Sequence, residues 1–326
     1  MKIIHFLNKA GLNGFFFMII FMVVLAWYFP FYGTKESPLP LNGIITYGIS
    51  AIFFFYGLRL SAAALWSGLS NWKLHVVIQS TTFILFPLIV LICYFFFFNE
   101  DYKMWWLGAF YLAALPSTVS SSVVMISMAG GNLSGGIFNA SISSIIGIVI
   151  TPLWMSLFIT QWNETIDSYH VIVSLCIQVL APLIVGLILH QYIGHLAEKY
   201  KNQLRYFDQT IILLIVYRAF CESFAGNMFE GFTITEITFL SLLMLIFFLI
   251  MMGLMQVISS ALRFSREDRI TILFCGSKKS LVQGAVMGPI LFTNPLLLGI
   301  IFLPLMLYHS LQLLIGSVLA QRFGRR

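Results

Sequence analysis

Long apolar runs separated by short polar segments dominate this chain, and most of the runs are close to twenty residues long. That length matches one α-helix across a lipid bilayer. No soluble domain fits between the runs, so the pattern predicts an all-α integral membrane protein. The ten predicted spans cover residues 14–31, 41–58, 75–98, 104–129, 134–159, 169–191, 207–224, 236–261, 268–292 and 295–319.

The composition supports a membrane protein. Of the 326 residues, 60% are hydrophobic and only 9% are charged, whereas a soluble domain carries about 25% charged residues. The apolar run after Lys2 and Lys9 is followed by no small-residue cleavage site, so it is interpreted as the first span and not as a removed signal peptide. All four cysteines lie within apolar runs, which argues against a disulfide framework or a CxxC metal site.

The distribution of basic residues predicts the orientation of the chain across the membrane. Cytoplasmic loops carry the excess of Lys and Arg, and a cytoplasmic N-terminus places most basic residues of the chain on that side. Both termini are then cytoplasmic. The formal charge of +6 is thus a topology signal, and we expect contact with membrane lipid and no nucleic-acid partner. The residues assigned to the cytoplasmic side are Lys2, Lys9, Arg59, Lys73, Lys199, Lys201, Arg205, Arg263, Arg266, Arg269, Arg322, Arg325 and Arg326.

Three basic residues that are not assigned to either side fall inside predicted spans: Arg218, Lys278 and Lys279. Arg218 precedes Glu222 by four residues, the spacing of an ion pair on one helix face. The two lysines have no acidic residue nearby in the sequence. A lysine at bilayer depth costs about 2.5–3.5 kcal/mol on insertion scales, so a functional role is expected for them. His309, in the tenth span, is interpreted as a core residue.

Ten spans divide into two sets of five with opposite orientation, approximately residues 1–160 and 161–326. This division allows an inverted repeat, with a site at the membrane midplane between interrupted helices. The fourth span of each set carries helix-breaking residues, Pro116 in one and Gly276 in the other. We predict that residues 116–118 and 276–278 are non-helical and lie close together. The backbone groups freed there would be available to ions or substrate.

The segments "LPSTVSSSVVMISMAGGN" and "FCGSKKSLVQG", with "ITPL" at the end of the fifth span, resemble the bile acid:sodium symporter superfamily, in particular its SBF-like branch. The resemblance covers essentially all ten spans. It implies a core domain of spans 3–5 and 8–10, in which the broken fourth and ninth helices cross, and a panel domain of spans 1, 2, 6 and 7. It also implies a bacterial inner or plasma membrane and transport of a small organic anion together with sodium.

Only some of the sodium-ligand positions of that family have a residue in this chain that could bind sodium. A Ser-Asn pair of the fourth helix corresponds to Ser121 and Ser122, whereas the fifth-helix ligands correspond to Gly136 and Ala140. The ninth-helix glutamate corresponds to Phe274, the following glutamine to Lys278, and a neighbouring asparagine to Lys279. The main carboxylate is therefore missing, and an ammonium in the same pocket repels sodium. The two sodium sites cannot be transferred intact.

Lys278 is expected to be a built-in cation at this place, since its ammonium can donate three hydrogen bonds. Lys279 points about 100° away on a helix, so we expect it to face the substrate anion or the inner vestibule. No cofactor is expected beyond sodium or a proton as coupling ion. The predicted substrate-binding residues are Ser117, Thr118, Ser120, Asn132, Lys279, Ser280 and Gln283, and the predicted ion-coupling residues are Ser121, Ser122, Lys278, Gln79, Thr82, Ser141 and Ser144.

Two other classes of function stay open at this point. Ser117 or Ser121 could form a Ser–Lys dyad with Lys278 in an intramembrane hydrolase, although no known intramembrane-protease motif is present. Alternatively, the lysines could lock the core of a regulator that does not transport. The sequence does not give the oligomeric state or the identity of the substrate.

Overall fold

The computed structural model describes residues 14–59, 71–159, 173–174, 176–228, 233–292 and 294–324. All regular secondary structure in these ranges is helical, which confirms the all-α class. The main helices are α1 (Gly14–Tyr28), α2 (Leu41–Arg59), α3 (Trp72–Phe97), α4 (Lys103–Ala114), α5 (Ser120–Ala129), α6 (Leu133–Ile159), α7 (Cys176–Lys199), α8 (Lys201–Ala225), α9 (Ile234–Ala261), α10 (Arg266–Gly276), α11 (Leu281–Leu291) and α12 (Pro295–Gly324).

Within the described ranges, six helices are long and apolar enough to cross a membrane: α2, α3, α6, α7, α9 and α12. α1 is apolar but shorter. The predicted end of the sixth span at residue 191 is wrong as a helix boundary, because α7 continues through a polar last turn to Lys199. The chain is thus a multi-pass membrane protein.

Several helix ends follow directly from the local sequence. The Thr233 side chain accepts from the Glu236 N–H while the Glu236 carboxylate accepts from Thr233, a capping box that starts α9. Ser265 caps the first turn of α10 by accepting from the Asp268 N–H. α5 ends at Gly130, whose φ of 71° lies in the left-handed region that glycine adopts without steric cost.

The helices pack in two groups. Helices α1, α2, α7 and α8 form the first group, and α3–α6 with α9–α12 form the second group. α2 and α7 approach very closely, since a Cβ on Gly57 would overlap the Leu183 carbonyl and one on Gly186 would overlap the Phe54 carbonyl. α8 also packs against α11 and α12 and so joins the two groups.

The predicted Arg218–Glu222 pair is present on α8, with an N···O distance of 3.6 Å between largely buried side chains. This contact neutralises one of the three basic residues that the sequence places inside spans. The remaining two, Lys278 and Lys279, lie between α10 and α11.

Two non-helical segments interrupt the second group. Residues 115–119 separate α4 from α5, and residues 277–280 separate α10 from α11. Pro116 lies in the first segment, where its missing N–H prevents α4 from continuing. In the second segment, Gly276 still belongs to α10, so the expectation that residue 276 is non-helical is wrong and the interruption begins one residue later.

Candidate functional site

The two non-helical segments contact each other through backbone and serine hydrogen bonds. Ser280 donates its main-chain N–H to the Pro116 carbonyl at 2.9 Å. Ser117 Oγ donates to the Cys275 carbonyl at 2.7 Å, and Ser122 Oγ donates to the Phe274 carbonyl at 3.0 Å. The serines after Pro116 therefore bind the carbonyls at the end of α10, and each segment satisfies groups that the other leaves free.

Side chains of neighbouring helices satisfy further backbone groups of the two segments. Thr151 Oγ1 donates to the Ala114 carbonyl at 2.8 Å, and the Ser117 N–H donates to Ser143 Oγ at 3.0 Å. Tyr308 donates its hydroxyl to the Ser277 carbonyl at 2.7 Å. Such partners are needed because no water is available in the hydrocarbon region to bind exposed backbone groups.

The ammonium of Lys279 lies at the centre of this crossing. Its Nζ donates to the main-chain carbonyls of Thr82, Ala113 and Leu115, each at 2.7 Å. It also lies 4.1 Å from the centroid of the Phe86 ring, within the range of a cation–π contact. The residue is 0% exposed. All three ammonium protons thus have oxygen acceptors, which lowers the cost of burying the charge.

The Thr82 carbonyl is free because of a local feature of α3. Residues Thr81–Leu85 form a π-helical turn, in which the Phe86 N–H donates to the Thr81 carbonyl and not to that of Thr82. The next residue, Pro87, has no N–H to offer. The Phe83 carbonyl also lacks a helical hydrogen bond, because its donor would be the missing N–H of Pro87. It accepts instead from the Trp154 indole N–H at 2.7 Å. The π turn and Pro87 therefore create one of the three acceptors of Lys279.

Gln312 holds the backbone of Lys279 from α12. Its Oε1 accepts from the Lys279 N–H at 2.9 Å, and its Nε2 donates to the Lys279 carbonyl at 2.8 Å. The same amide nitrogen lies 2.8 Å from Nδ1 of His309. The polar Gln312 in the last span is thus a positioning residue for the second non-helical segment.

Lys278 has a poorer environment. It is also 0% exposed, and its Nζ donates to the Ser121 carbonyl at 3.1 Å and to Met125 Sδ. The Phe274 ring centroid lies 5.5 Å from Nζ. Only one of these partners is an oxygen, so the ammonium of Lys278 is much less well satisfied than that of Lys279.

The structure gives Lys279 the carbonyl contacts that are expected of Lys278, and neither lysine lines the cavity described next. The sequence predicts that Lys278 binds the freed carbonyls of the interrupted fourth helix and that Lys279 faces the substrate. In the structure, Lys279 binds the Ala113 and Leu115 carbonyls and does not line the cavity described next. The expectation of a 100° separation assumes a helix at these residues, whereas both lie in the non-helical segment.

A cavity of about 610 Å³ lies between the two helix groups. Its first wall comes from α1, α2 and α8, and its second wall comes from α5, α6, α11, α12 and the ends of the two non-helical segments. The walls are mostly apolar, with hydroxyl and charged groups at intervals. The lining residues used below are Tyr56, Arg59, Thr118, Ser121, Met125, Ser141, Ser144, Arg205, Asp208, Ser280, Val282, Gln283, His309 and Ser317.

The charges on the first wall are predominantly basic. Arg59 Nη1 and Asp208 Oδ2 form an ion pair at 3.2 Å, whereas Arg205, one turn before Asp208 on α8, forms no ion pair with any described residue. On the opposite wall, the N-termini of α5 and α11 both border the cavity. Helix N-termini carry partial positive charge, so both walls favour an anion.

The predicted site residues separate into two sets. Thr118, Ser121, Ser141, Ser144, Ser280 and Gln283 line the cavity. Ser117, Ser122, Gln79, Thr82, Asn132, Lys278 and Lys279 do not line it, and the Ser120 side chain lies outside the described part of the structure.

Among the residues outside the cavity, Asn132 has a local structural role. Its Oδ1 accepts from the Gly135 N–H at the start of α6, and its Nδ2 donates to Asp268 at 2.8 Å. Gln79 Nε2 donates to the carbonyl and to the side-chain oxygen of Asn139, at 3.1 and 3.2 Å. Thr82 contributes its main-chain carbonyl to Lys279, while its hydroxyl donates to Ile78.

Sequence reasoning missed the first wall altogether. Arg59 and Arg205 serve in the sequence only as topology signals, and no pattern singles out Tyr56 or Asp208, since all four lie in or beside spans without helix-breaking residues. Asp208 at the start of the seventh span was the available signal, because acidic residues are rare there and usually have a partner. His309, interpreted as a core residue, lines the cavity.

Comparisons with known proteins agree with this architecture. The model of the SBF-like CPA transporter family matches residues 13–325. An uncharacterised protein of Pseudomonas aeruginosa is 36% identical over 96% of this chain and 93% of its own length. A protein of Escherichia coli named as the symporter YfeH is 34% identical over 97% of this chain and 94% of its own length. Sodium/bile acid cotransporter 7-B of Xenopus laevis is 32% identical over 96% of this chain and 92% of its own length.

The chain therefore belongs to the SBF-like CPA transporter family. This confirms the resemblance found in the sequence, and it places the chain among transporters and not among enzymes. The geometry gives no support to a Ser–Lys dyad, because Ser117 Oγ donates to the Cys275 carbonyl and Lys278 Nζ binds a carbonyl of Ser121 and not its hydroxyl.

Proposed function

We propose that the protein is a secondary transporter that moves a small organic anion through the cavity between its two helix groups. The main support for this proposal is the cavity of about 610 Å³, which has the size of a small-molecule site. Both non-helical segments border the cavity, the first through Thr118 and the second through Ser280.

The chemistry of the walls supports an anionic and partly apolar substrate. Arg59 and Arg205 outnumber Asp208 among the charged lining residues, and two helix N-termini point into the same space. Serine and threonine hydroxyls offer hydrogen bonds, and the remaining surface is apolar. A relative named as a sodium/bile acid cotransporter supports organic acids of bile-acid type as the first compounds to test.

In this proposal the first helix group is the panel and the second group is the core. The chain crosses the membrane ten times as two inverted sets of five spans, with both termini in the cytoplasm of a bacterial cell. The core and panel move relative to each other so that the cavity opens to each side in turn. Transport by rocking around a fixed crossing requires that the two non-helical segments stay together.

Sodium is not required in this account, because the Lys279 ammonium already supplies a cation at the crossing. Its three carbonyl acceptors at 2.7 Å are the kind of oxygen ligands that a hard cation takes. A sodium ion at the same three carbonyls would have to displace the ammonium that already occupies them. The fixed ammonium thus performs the structural task of a bound ion, namely to hold the freed carbonyls of α3 and α4.

The test is uptake of radiolabelled taurocholate by proteoliposomes, with sodium and pH gradients imposed separately. The matched variants are Val282→Trp, which fills the cavity, and Val257→Trp on α9, where the native side chain is 64% exposed and lies outside the cavity. We expect saturable uptake by the native protein and by Val257→Trp, and loss of uptake in Val282→Trp.

A panel of other organic anions, read by inhibition of uptake and by thermal shift, covers the case in which taurocholate is a poor substrate. Equal activity of the two tryptophan variants would contradict a pathway through this cavity. If proteoliposomes take up none of the anions of the panel faster than empty liposomes do, transport of organic anions is contradicted.

A further inference from the structure

The two adjacent lysines differ in how well their ammonium groups are satisfied. Lys279 Nζ has three carbonyl acceptors, whereas Lys278 Nζ has one carbonyl at 3.1 Å and otherwise a thioether sulfur and an aromatic ring. A buried ammonium that lacks oxygen acceptors is costly. A neutral amine needs fewer partners, so Lys278 is the lysine that can give up its proton without leaving the crossing unsupported.

Lys278 also lies directly behind the wall of the cavity. Its two side-chain partners, Ser121 and Met125, line the cavity, and so do His309 and Ser317 on α12. Lys279 points away from this wall, toward the carbonyls of α3 and α4. A charge in the cavity is therefore separated from Lys278 by a single layer of side chains.

The titratable groups around Lys278 can be assigned element by element. Among the described side chains and carbonyls, α5 presents the Ser121 carbonyl and the Met125 sulfur, neither of which titrates, and α10 presents the Phe274 ring and the Cys275 thiol. α12 presents the His309 ring. Across the cavity, the first wall adds the charged lining residues Arg59, Arg205 and Asp208. No carboxylate among the described residues forms an ion pair with Lys278.

His309 is held in its neutral form. The two hydrogen bonds between Gln312 and the Lys279 backbone fix the orientation of the Gln312 amide, so its Nε2–H₂ group faces His309 Nδ1 at 2.8 Å. Nδ1 must then be the acceptor, which requires a lone pair and excludes the imidazolium. The ring adds no positive charge that would compete with Lys278.

We propose that the Lys278 side-chain amine carries the proton that accompanies the transported anion. This inference rests on the proposed anion transport. An anion in the cavity favours the charged form of a nearby amine. The Nζ lone pair therefore takes up a proton from water as the anion enters, which forms one N–H bond. When the anion leaves on the other side, that bond breaks and the proton returns to water.

This cycle links one proton to one negative charge, so a monovalent anion moves without net charge. The direction of transport then follows the pH gradient. A gradient of one pH unit is a tenfold ratio of proton activity, which supports about tenfold accumulation of a monovalent anion. Lys279 stays protonated throughout, because its loss of charge would leave the crossing without a donor for three carbonyls.

The charge state of both lysines can be measured without a substrate. Protein labelled with ¹⁵N-lysine is reconstituted in lipid, and the Nζ resonances are assigned with Lys278→Met and Lys279→Met and followed from about pH 6 to about pH 9. We expect the Lys278 signal to change from ammonium to amine in this range, while the Lys279 signal remains that of an ammonium. A Lys278 signal that stays an ammonium throughout would overturn the proposal.

A second measurement tests coupling. Lys278→Gln and Lys278→Met should lose the accumulation driven by a pH gradient, from about tenfold to about onefold, yet retain exchange of taurocholate across liposomes without a gradient. The control variant is Lys201→Gln, an exposed lysine outside the cavity, which should keep pH-driven accumulation. His309→Gln, at a residue that lines the cavity, is measured beside Lys278→Gln. Loss of accumulation in His309→Gln alone would assign the proton to the histidine and refute the role of Lys278.

The resonance titration and the uptake assay distinguish failure of the proposed anion transport from failure of the proposed proton coupling. If the native protein moves no organic anion but the Lys278 resonance titrates, the proposed function fails and the proton-binding site remains. If transport occurs and the Lys278 resonance never titrates, the transport proposal stands and the coupling role of Lys278 fails.

Discussion

The main-chain N–H of Ser280 lies 2.9 Å from the carbonyl oxygen of Pro116 and joins the two non-helical segments of the protein. Residues 164 positions apart in the chain thereby satisfy each other's backbone groups. Lys279 adds side-chain bonds from the same segment to α3 and α4. The crossing is thus a single hydrogen-bonded unit, and a change at Lys279 is expected to affect both segments.

Replacement of Lys279 should therefore be strongly destabilising. Lys279→Met removes the donor for three buried carbonyls, and a buried polar group left without a partner typically costs about 1–3 kcal/mol. Lys278→Met removes a single oxygen contact together with a costly charge, so its effect on the free energy of unfolding should be small. Thermal and denaturant unfolding of both variants in detergent measures this difference. Equal losses in the two variants would contradict the different roles of the lysines.

Part of this crossing could be predicted from the sequence, because Pro116 must interrupt a helix and the serines after it offer hydroxyl groups. The contacts of Lys279 could not be predicted. They depend on a free carbonyl at Thr82, which the π turn and Pro87 create in a distant span. They also depend on Gln312, which fixes the Lys279 backbone from α12.

Asn132 lies outside the cavity for a similar reason. Its amide follows the interrupted helix in the sequence, yet α5 carries the chain away from the crossing before Asn132 caps α6. The ends of the apolar runs were predictable from hydropathy, whereas the polar extension of α7 to Lys199 was not. The wall formed by α2 and α8 depends on how the two helix groups pack, which no local pattern encodes.

The close contact of α2 and α7 predicts a position-dependent effect of adding one methyl group. Gly57→Ala should destabilise the protein by about 1–3 kcal/mol, because the new Cβ overlaps the Leu183 carbonyl. The control is Gly43→Ala in the first turn of the same helix, where nothing lies within 4 Å of the added Cβ. That change should be neutral or slightly stabilising. Similar unfolding midpoints for the two variants would refute the tight α2–α7 contact.

The basic first wall predicts a role for Arg205 in anion affinity. Arg205→Gln should raise the KM for an anionic substrate by about two- to fivefold, the effect of an exposed charge interaction of up to about 1 kcal/mol. Its kcat should change little. Lys201→Gln, one turn earlier on α8 and outside the cavity, is the control and should leave the KM unchanged. A KM for the anion that is insensitive to Arg205→Gln would remove this residue from the site.

The charge distribution predicts the sidedness of three positions. Cysteines introduced at Lys201 and Arg266 in a background without the four native cysteines should react with an impermeant maleimide only from the cytoplasmic side. A cysteine at Glu164, which lies outside the described residues, should react only from the opposite side. Labelling from the reverse side at any of the three positions would refute the ten-span topology, since each added or lost span inverts every later loop.

If the Lys279 ammonium takes the place of a bound sodium ion, the native protein gains no stability from sodium. This is tested by its thermal unfolding in sodium chloride and in potassium chloride at equal ionic strength. A sodium ion bound only to the folded protein stabilises it by about 2.7 kcal/mol at one hundred times its dissociation constant. We expect the same unfolding temperature in both salts at every concentration. A sodium-specific rise in unfolding temperature that saturates with concentration would contradict it.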